Sequence, residues 1–169
     1  MQVERETNII VVKLDNNEDL FSTLEKIAQD QMIKSGMVIF GIGMLRDIEL
    51  GYYLGKDYQW TTFSEPGELV ALHGTIATVD NAPSLHLHAG LAYKDHGLKG
   101  GHLKKATVNM LAEIGIIKLT DVELTRKKNP TSGLNELLIS KASKSTQAVR
   151  KMPTEGRSPG KRSMDLDLD

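Results

Sequence analysis

The chain has 169 residues, 40% of them hydrophobic, with 21 Lys plus Arg against 22 Asp plus Glu, five His and no Cys. That length fits one domain, and that apolar content is enough to bury an ordinary core. The missing cysteines exclude a disulfide scaffold, thiolate-held zinc or iron–sulfur sites and a thiol nucleophile, while a net charge of −1 argues against a uniformly basic nucleic-acid binder.

In chain order, the N-terminal run MQVERETNIIVVKL places two acids ahead of a short apolar stretch and has no small-residue cleavage site, so it does not read as a secretory peptide. No apolar run approaches the ~20 residues a membrane helix needs. A soluble, cytoplasmic protein without membrane contact is the expectation. Asn8–Leu14 reads as a buried strand. Asn16 or Asn17 can cap a helix whose first turn holds Glu18 and Asp19. Leu20, Leu24, Ile27 and Ala28 then share one helical face, and Gly36 stands where a left-handed C-terminal cap belongs. The spacing predicts a helix over 18–35.

Strand-like runs follow at Met37–Leu45, Asp47–Leu54, Tyr58–Ser64, Glu68–Ala77, Ser84–Tyr93, Thr107–Ile117 and Val122–Lys127, punctuated by Gly, Pro, Asn and Asp. Gly41 and Gly43 begin like a dinucleotide fingerprint, but Arg46 stands in the place of its third glycine. A bulge or a close strand approach is the better reading. In Thr107–Ile117, Val108, Met110, Ala112, Ile114 and Ile116 form one apolar face, while Glu113 lies on a mixed face. The pattern predicts an α+β fold with a mostly antiparallel sheet and one main helix.

The charge is unevenly placed. Residues 1–140 carry −4, residues 141–163 carry +6, and the last six, MDLDLD, carry −3. The chain therefore divides into a domain at 1–140 and a flexible basic tail with an acidic tip at 141–169, whose composition offers too little apolar surface to offset its ordering entropy.

Four of the five histidines fall in SLHLHAGLAYKDHGLKGGHL. On a strand, His86 and His88 project from one face about 7 Å apart, with the leucines turned to the core. Two imidazoles so placed can chelate one metal. His102 is the candidate third ligand, because Gly100-Gly101 allows a turn that returns the chain to the same face. Three imidazoles suit zinc, or another divalent transition metal, and leave a fourth position open. Read blandly, His86 and His88 are polar residues on a solvated strand face. His73 is a spare ligand, and His96 in KDHG is a turn residue. Glu113 and Glu68 are candidate catalytic proton carriers beside such a metal. The aromatics Tyr52, Tyr53, Tyr58, Trp60 and Phe63 can form a stacking platform, a core or an interface. No phosphate loop, nucleophile elbow or H-E-x-x-H helix occurs, so no organic cofactor site is read.

Together LHLHAGLAYKDHGLKGGHLKKATVNMLAEI, GIGMLRDIELGYY, GELVALHGTIA and SGLNELLI resemble the Plants and Prokaryotes Conserved (PPC or PCC) domain over about residues 7–139. The resemblance implies an α+β fold with a largely antiparallel sheet of about seven strands and a helix, a homotrimer, and a metal site, usually zinc, at His86, His88 and His102. It also implies a free-standing prokaryotic type, since the Arg-Gly-Arg-Pro motif by which plant members enter the minor groove is absent. Two functions are then expected. One is a trimeric, metal-binding, DNA-contacting regulator whose basic tail gives weak, salt-sensitive binding. The alternative is a zinc-dependent, hydrolase-type enzyme acting on a small molecule through water activated at the metal.

Overall fold

The computed structural model describes residues 1–143. The expected tail from residue 144 onward lies outside the described residues. The elements are β1 (Gln2–Glu6), β2 (Ile9–Asp15), α1 (Leu20–Asp30), β3 (Gly36–Tyr53), β4 (Tyr58–Phe63), β5 (Gly67–Val79), β6 (Ala82–Ala92), β7 (Leu98–Lys118), β8 (Val122–Lys128) and β9 (Asn135–Lys141). Nine strands form one mixed sheet in the order β1-β2-β7-β3-β5-β8-β9, with β4 on β3 and β6 joining β5 to β7. Among the described residues the fold is mainly β with one helix, in place of the expected α+β arrangement of about seven strands. All pairings are antiparallel except the contact of β5 with β8 at Thr78 and Thr125. Since β3 pairs with β5 and β7, and β6 also pairs with both, these four strands close into a ring.

The count rises through β1 and β9, which the expected runs did not include, while two long strands join or extend runs that were expected. The runs expected at Met37–Leu45 and Asp47–Leu54 are the single bent strand β3, whose register shifts against β7 at four places, after Val38, Gly43, Arg46 and Glu49. Asp47, at φ 52, is an irregularity within this strand and does not end it. The run expected at Thr107–Ile117 is the second half of the 21-residue β7. The polar strand β1, QVERE, gives no alternation to read, because it pairs only with β2 and is almost wholly exposed.

The helix is shorter than 18–35. Its cap is Asp19, whose carboxylate accepts from the Ser22 N–H at 2.8 Å. Its C-terminus closes with the Ile33 N–H bonded to the Ala28 carbonyl and the Met32 N–H to the Gln29 carbonyl. Those two bonds make a Schellman motif with Met32, at φ 52, as the left-handed residue in place of Gly36. Gly36 opens β3, where a Cβ would come within 3.0 Å of the Ile117 carbonyl oxygen.

Leu20, Leu24, Ile27 and Ala28 are buried as the periodicity predicts, packed with Ile10, Val12 and Leu14 of β2 and Val108, Ala112, Ile114 and Ile116 of β7. Met110 departs from that apolar row. It takes φ 69, its N–H donates to Asn16 Oδ1, and its side chain is 70% exposed. No helix among the described residues is long and apolar enough to cross a membrane.

Candidate metal centre

The site lies where β5, β6 and β7 run side by side. In an antiparallel pair, directly opposed residues share a face. His88 of β6 opposes His102 of β7 on one side and His73 of β5 on the other, and His86 opposes Thr75. Leu87 and Leu103 fill the opposite, buried face. The ring centroids of His86, His88 and His102 stand 4.8–5.3 Å apart, and one nitrogen from each ring lies within 4.8 Å of the others. His73 shares their face through its pairing with His88 but is not part of this convergent set.

The glycines work differently from expectation. Gly100 and Gly101 lie inside the extended β7, and the chain reverses earlier. There the His96 N–H bonds the Tyr93 carbonyl at 2.7 Å, and His96 itself sits exposed at φ 60. Gly101 serves a close approach: a Cβ there would lie 2.7 Å from the Gly51 carbonyl oxygen of β3. Gly51 in turn opposes both His102 and Trp60, and its missing side chain leaves room for the Trp60 ring. Tyr58 stacks on Trp60 at 4.9 Å, and both rings lie against His102, at 5.0 and 5.9 Å. Lys104 covers Trp60 from above, 4.6 Å from the ring. The aromatic cluster is thus the wall behind the third histidine. Gly41 and Gly43 also mark the expected close approaches, to Leu72 and to the backbone of Leu111 and Ala112.

Arg126 of β8 is the member of the site that sequence reading misses. Its Nη2 donates to Thr75 Oγ1 at 2.8 Å and to His86 Nδ1 at 3.0 Å, and its Nη1 donates to the Asn135 carbonyl at 3.0 Å. Ser35 delivers it: the buried Ser35 hydroxyl accepts the Leu124 N–H at 2.8 Å and pins β8 two residues away. In TRKKN an arginine reads as one of a solvated run. The available signal was its alternation with Val122 and Leu124, which places it on the inward face of the strand.

These residues line a cavity of about 940 Å³, with Leu85, Leu134 and Leu137 as its apolar wall and Glu136 on its lining. Glu68 and Glu113 do not line it. Glu68 is the second residue of β5 and is exposed, and Glu113 is exposed eleven positions along β7 from His102, roughly 35 Å of extended strand away. Burial holds the His86 pKa down at about 4, helped by the Arg126 charge and then by His102 and His88. Burial also lowers His102, followed by His88 and Arg126. Both rings are therefore held neutral, the state a metal ligand requires. His86 Nε2 and His102 Nδ1 are buried and have no hydrogen-bond partner among the described residues. Three converging imidazoles, two of them with a buried ring nitrogen unpaired among the described residues, fit a divalent transition metal.

Comparison with known proteins agrees with this architecture. A family model described as the Plants and Prokaryotes Conserved (PCC) domain matches residues 1–120. A plant- and prokaryote-conserved protein of Pyrococcus horikoshii superposes with a TM-score of 0.71 at 26% identity, covering 79% of this chain and 91% of that one. A metal-containing protein of Archaeoglobus fulgidus superposes at 0.72 and 28% identity, covering 81% and 95%. A Bacteroides thetaiotaomicron protein with a provisional DNA-binding designation superposes at 0.76 and 27% identity, covering 80% and 95%. Among curated proteins, a bifunctional protein GlmU of Synechococcus sp. is 28% identical over 136 residues, which is 80% of this chain and 21% of that protein. The chain thus spans about a fifth of the curated relatives it matches.

Proposed function

This chain belongs to the Plants and Prokaryotes Conserved (PCC) domain family, and from that premise we propose that it is a trimeric metal-binding protein that holds one divalent ion, zinc by the chemistry of its donors, on His86, His88 and His102. The observation that carries this reading is the convergence of three ring nitrogens within 4.8 Å, two of the rings with a buried nitrogen left unpaired among the described residues. The metal-containing relative from Archaeoglobus fulgidus supports it. A bound zinc would supply Lewis acidity at a position the three histidines leave open. His102 is backed by Tyr58 and Trp60, which fix its ring and exclude water from that side. Protein purified without a His-tag is expected to carry about one metal per chain by elemental analysis, and His86→Ala and His102→Ala are each expected to lose it on dialysis. A His86→Ala variant that keeps its metal contradicts the ligand assignment.

DNA contact is the second part of the proposal. It rests on the provisional designation of the Bacteroides thetaiotaomicron relative and on the +6 charge of residues 141–163. The body at 1–140 is acidic, so binding through the tail is expected to be weak, sequence-independent and steeply salt-dependent. Duplex titration of the full chain and of a 1–140 truncation separates the two: the truncation is expected to lose affinity at low salt, and equal binding removes the tail from the account. The hydrolase reading finds less support, since its candidate proton carriers, Glu68 and Glu113, do not line the histidine cavity.

A further inference from the structure

Arg126 and a metal make incompatible demands on His86. A guanidinium only donates, so His86 Nδ1 must accept the 3.0 Å bond from Arg126 Nη2, and in a neutral ring Nε2 then carries the hydrogen. A metal on Nε2 would force that hydrogen to Nδ1, where it faces another donor. A metal on Nδ1 would take the lone pair that Arg126 now uses. Either way the ion and the arginine cannot hold His86 together.

The freed arginine does not leave. Its Nη1 stays bonded to the Asn135 carbonyl and its Nη2 to Thr75 Oγ1, while β8 is anchored through Ser35. What is released is one hydrogen of Nη2, beside an Nε that is buried and has no partner among the described residues. Nε and Nη2 form one edge of the guanidinium, the fork that pairs with two oxygens of an anion at once. A metal and an arginine side by side would also leave two unbalanced positive centres at the floor of a cavity of about 940 Å³, far larger than an inorganic ion needs. Leu85, Leu134 and Leu137 offer its walls to an organic body, and Glu136, the acid on its lining, is tied to the Ser132 hydroxyl at 2.9 Å.

We propose that the cavity is a receptor for a small organic carboxylate, held by the metal's open position and the Nε–Nη2 edge of Arg126 together. The proposal rests on the metal reading above. Its two consequences are that Arg126 weakens metal binding when no anion is present, and that metal and anion bind cooperatively.

Cobalt(II) tests this, because its visible spectrum reports both occupancy and a change of ligand. The protein is stripped with a chelator, titrated with cobalt(II), then with benzoate and, separately, with its neutral isostere benzamide. In the wild type, benzoate is expected to change the cobalt spectrum saturably, and benzamide to leave it unchanged. Arg126→Gln is expected to bind cobalt at least as tightly as the wild type and benzoate at least about tenfold more weakly, the loss of a charge-assisted pair. Undiminished benzoate binding by Arg126→Gln overturns the proposal while leaving the metal reading intact, as does a wild-type spectrum indifferent to benzoate. Absence of a cobalt spectrum in the wild type removes the metal reading and the proposal with it. If Arg126→Gln takes up no cobalt, Arg126→Lys decides: it keeps the charge but not the fork, and it must bind cobalt and lose benzoate affinity for the proposal to stand.

Discussion

His86 shows how much chemistry one ring can carry. Its Nδ1 is engaged by Arg126, its Nε2 has no partner among the described residues, and its burial favours the neutral form. An unfolded His86 takes its proton near 6.5, the folded one near about 4. Between those values the unfolded chain binds more protons, so the metal-free protein loses stability as pH falls through that window and is unaffected by this group above it. Asp15, whose pKa is lowered to about 2 by its hydrogen bonds to Lys13 and the N-terminal amine, acts only below 3.8, so the two windows separate. Urea unfolding of chelator-stripped protein at about pH 7 and about pH 5 is expected to show the loss, and His86→Gln is expected to reduce it. A profile as steep in His86→Gln as in the wild type contradicts the assignment. The pairing of His86 with His88 was legible in the sequence because a strand's alternation is strict. Arg126 was not, because the bond that makes it functional spans 40 positions.

Among elements, strands β3 and β7 determine the site's shape. The sequence told their parts but not their unity. Arg46 and Asp47 look like a boundary, yet register shifts let the strand continue through them. The helix was legible in its buried face and illegible at its ends, since a methionine at φ 52 does the work usually given to glycine. The same limit applies to Gly100-Gly101, where glycine signals a close approach as readily as a turn. Gly101→Ala tests that role. Its Cβ would meet the Gly51 carbonyl oxygen at 2.7 Å, a backbone atom that yields only if β3 and β7 separate. We expect a destabilisation of about 1–3 kcal/mol in denaturant unfolding, with weaker metal retention because the neighbouring His102 is displaced. An unchanged midpoint would mean that the two strands part freely.

At the scale of the whole molecule, the sheet has an uncovered apolar side. Ile9 and Val11 of β2 and Met37, Phe40 and Ile42 of β3 are all 39–51% exposed, and they flank β7 at Ile117, Gly115 and Glu113. Exposed apolar rows on the two strands that flank β7 are the kind of surface that self-association buries. We therefore assign this face to the proposed trimer contact. Light scattering of the wild type is expected to give three times the chain mass, and Ile42→Glu is expected to shift the population to monomer. A monomeric wild type contradicts the assembly.

The central claim is that His86, His88 and His102 hold one metal ion, and the most direct measurement is anomalous diffraction at the zinc edge from crystals of untagged protein. A single peak between the three rings, about 2.0–2.1 Å from one nitrogen of each, with Arg126 no longer bonded to His86, is the result predicted. Crystals supplied with zinc that show no peak there, and Arg126 still on His86 Nδ1, would contradict it.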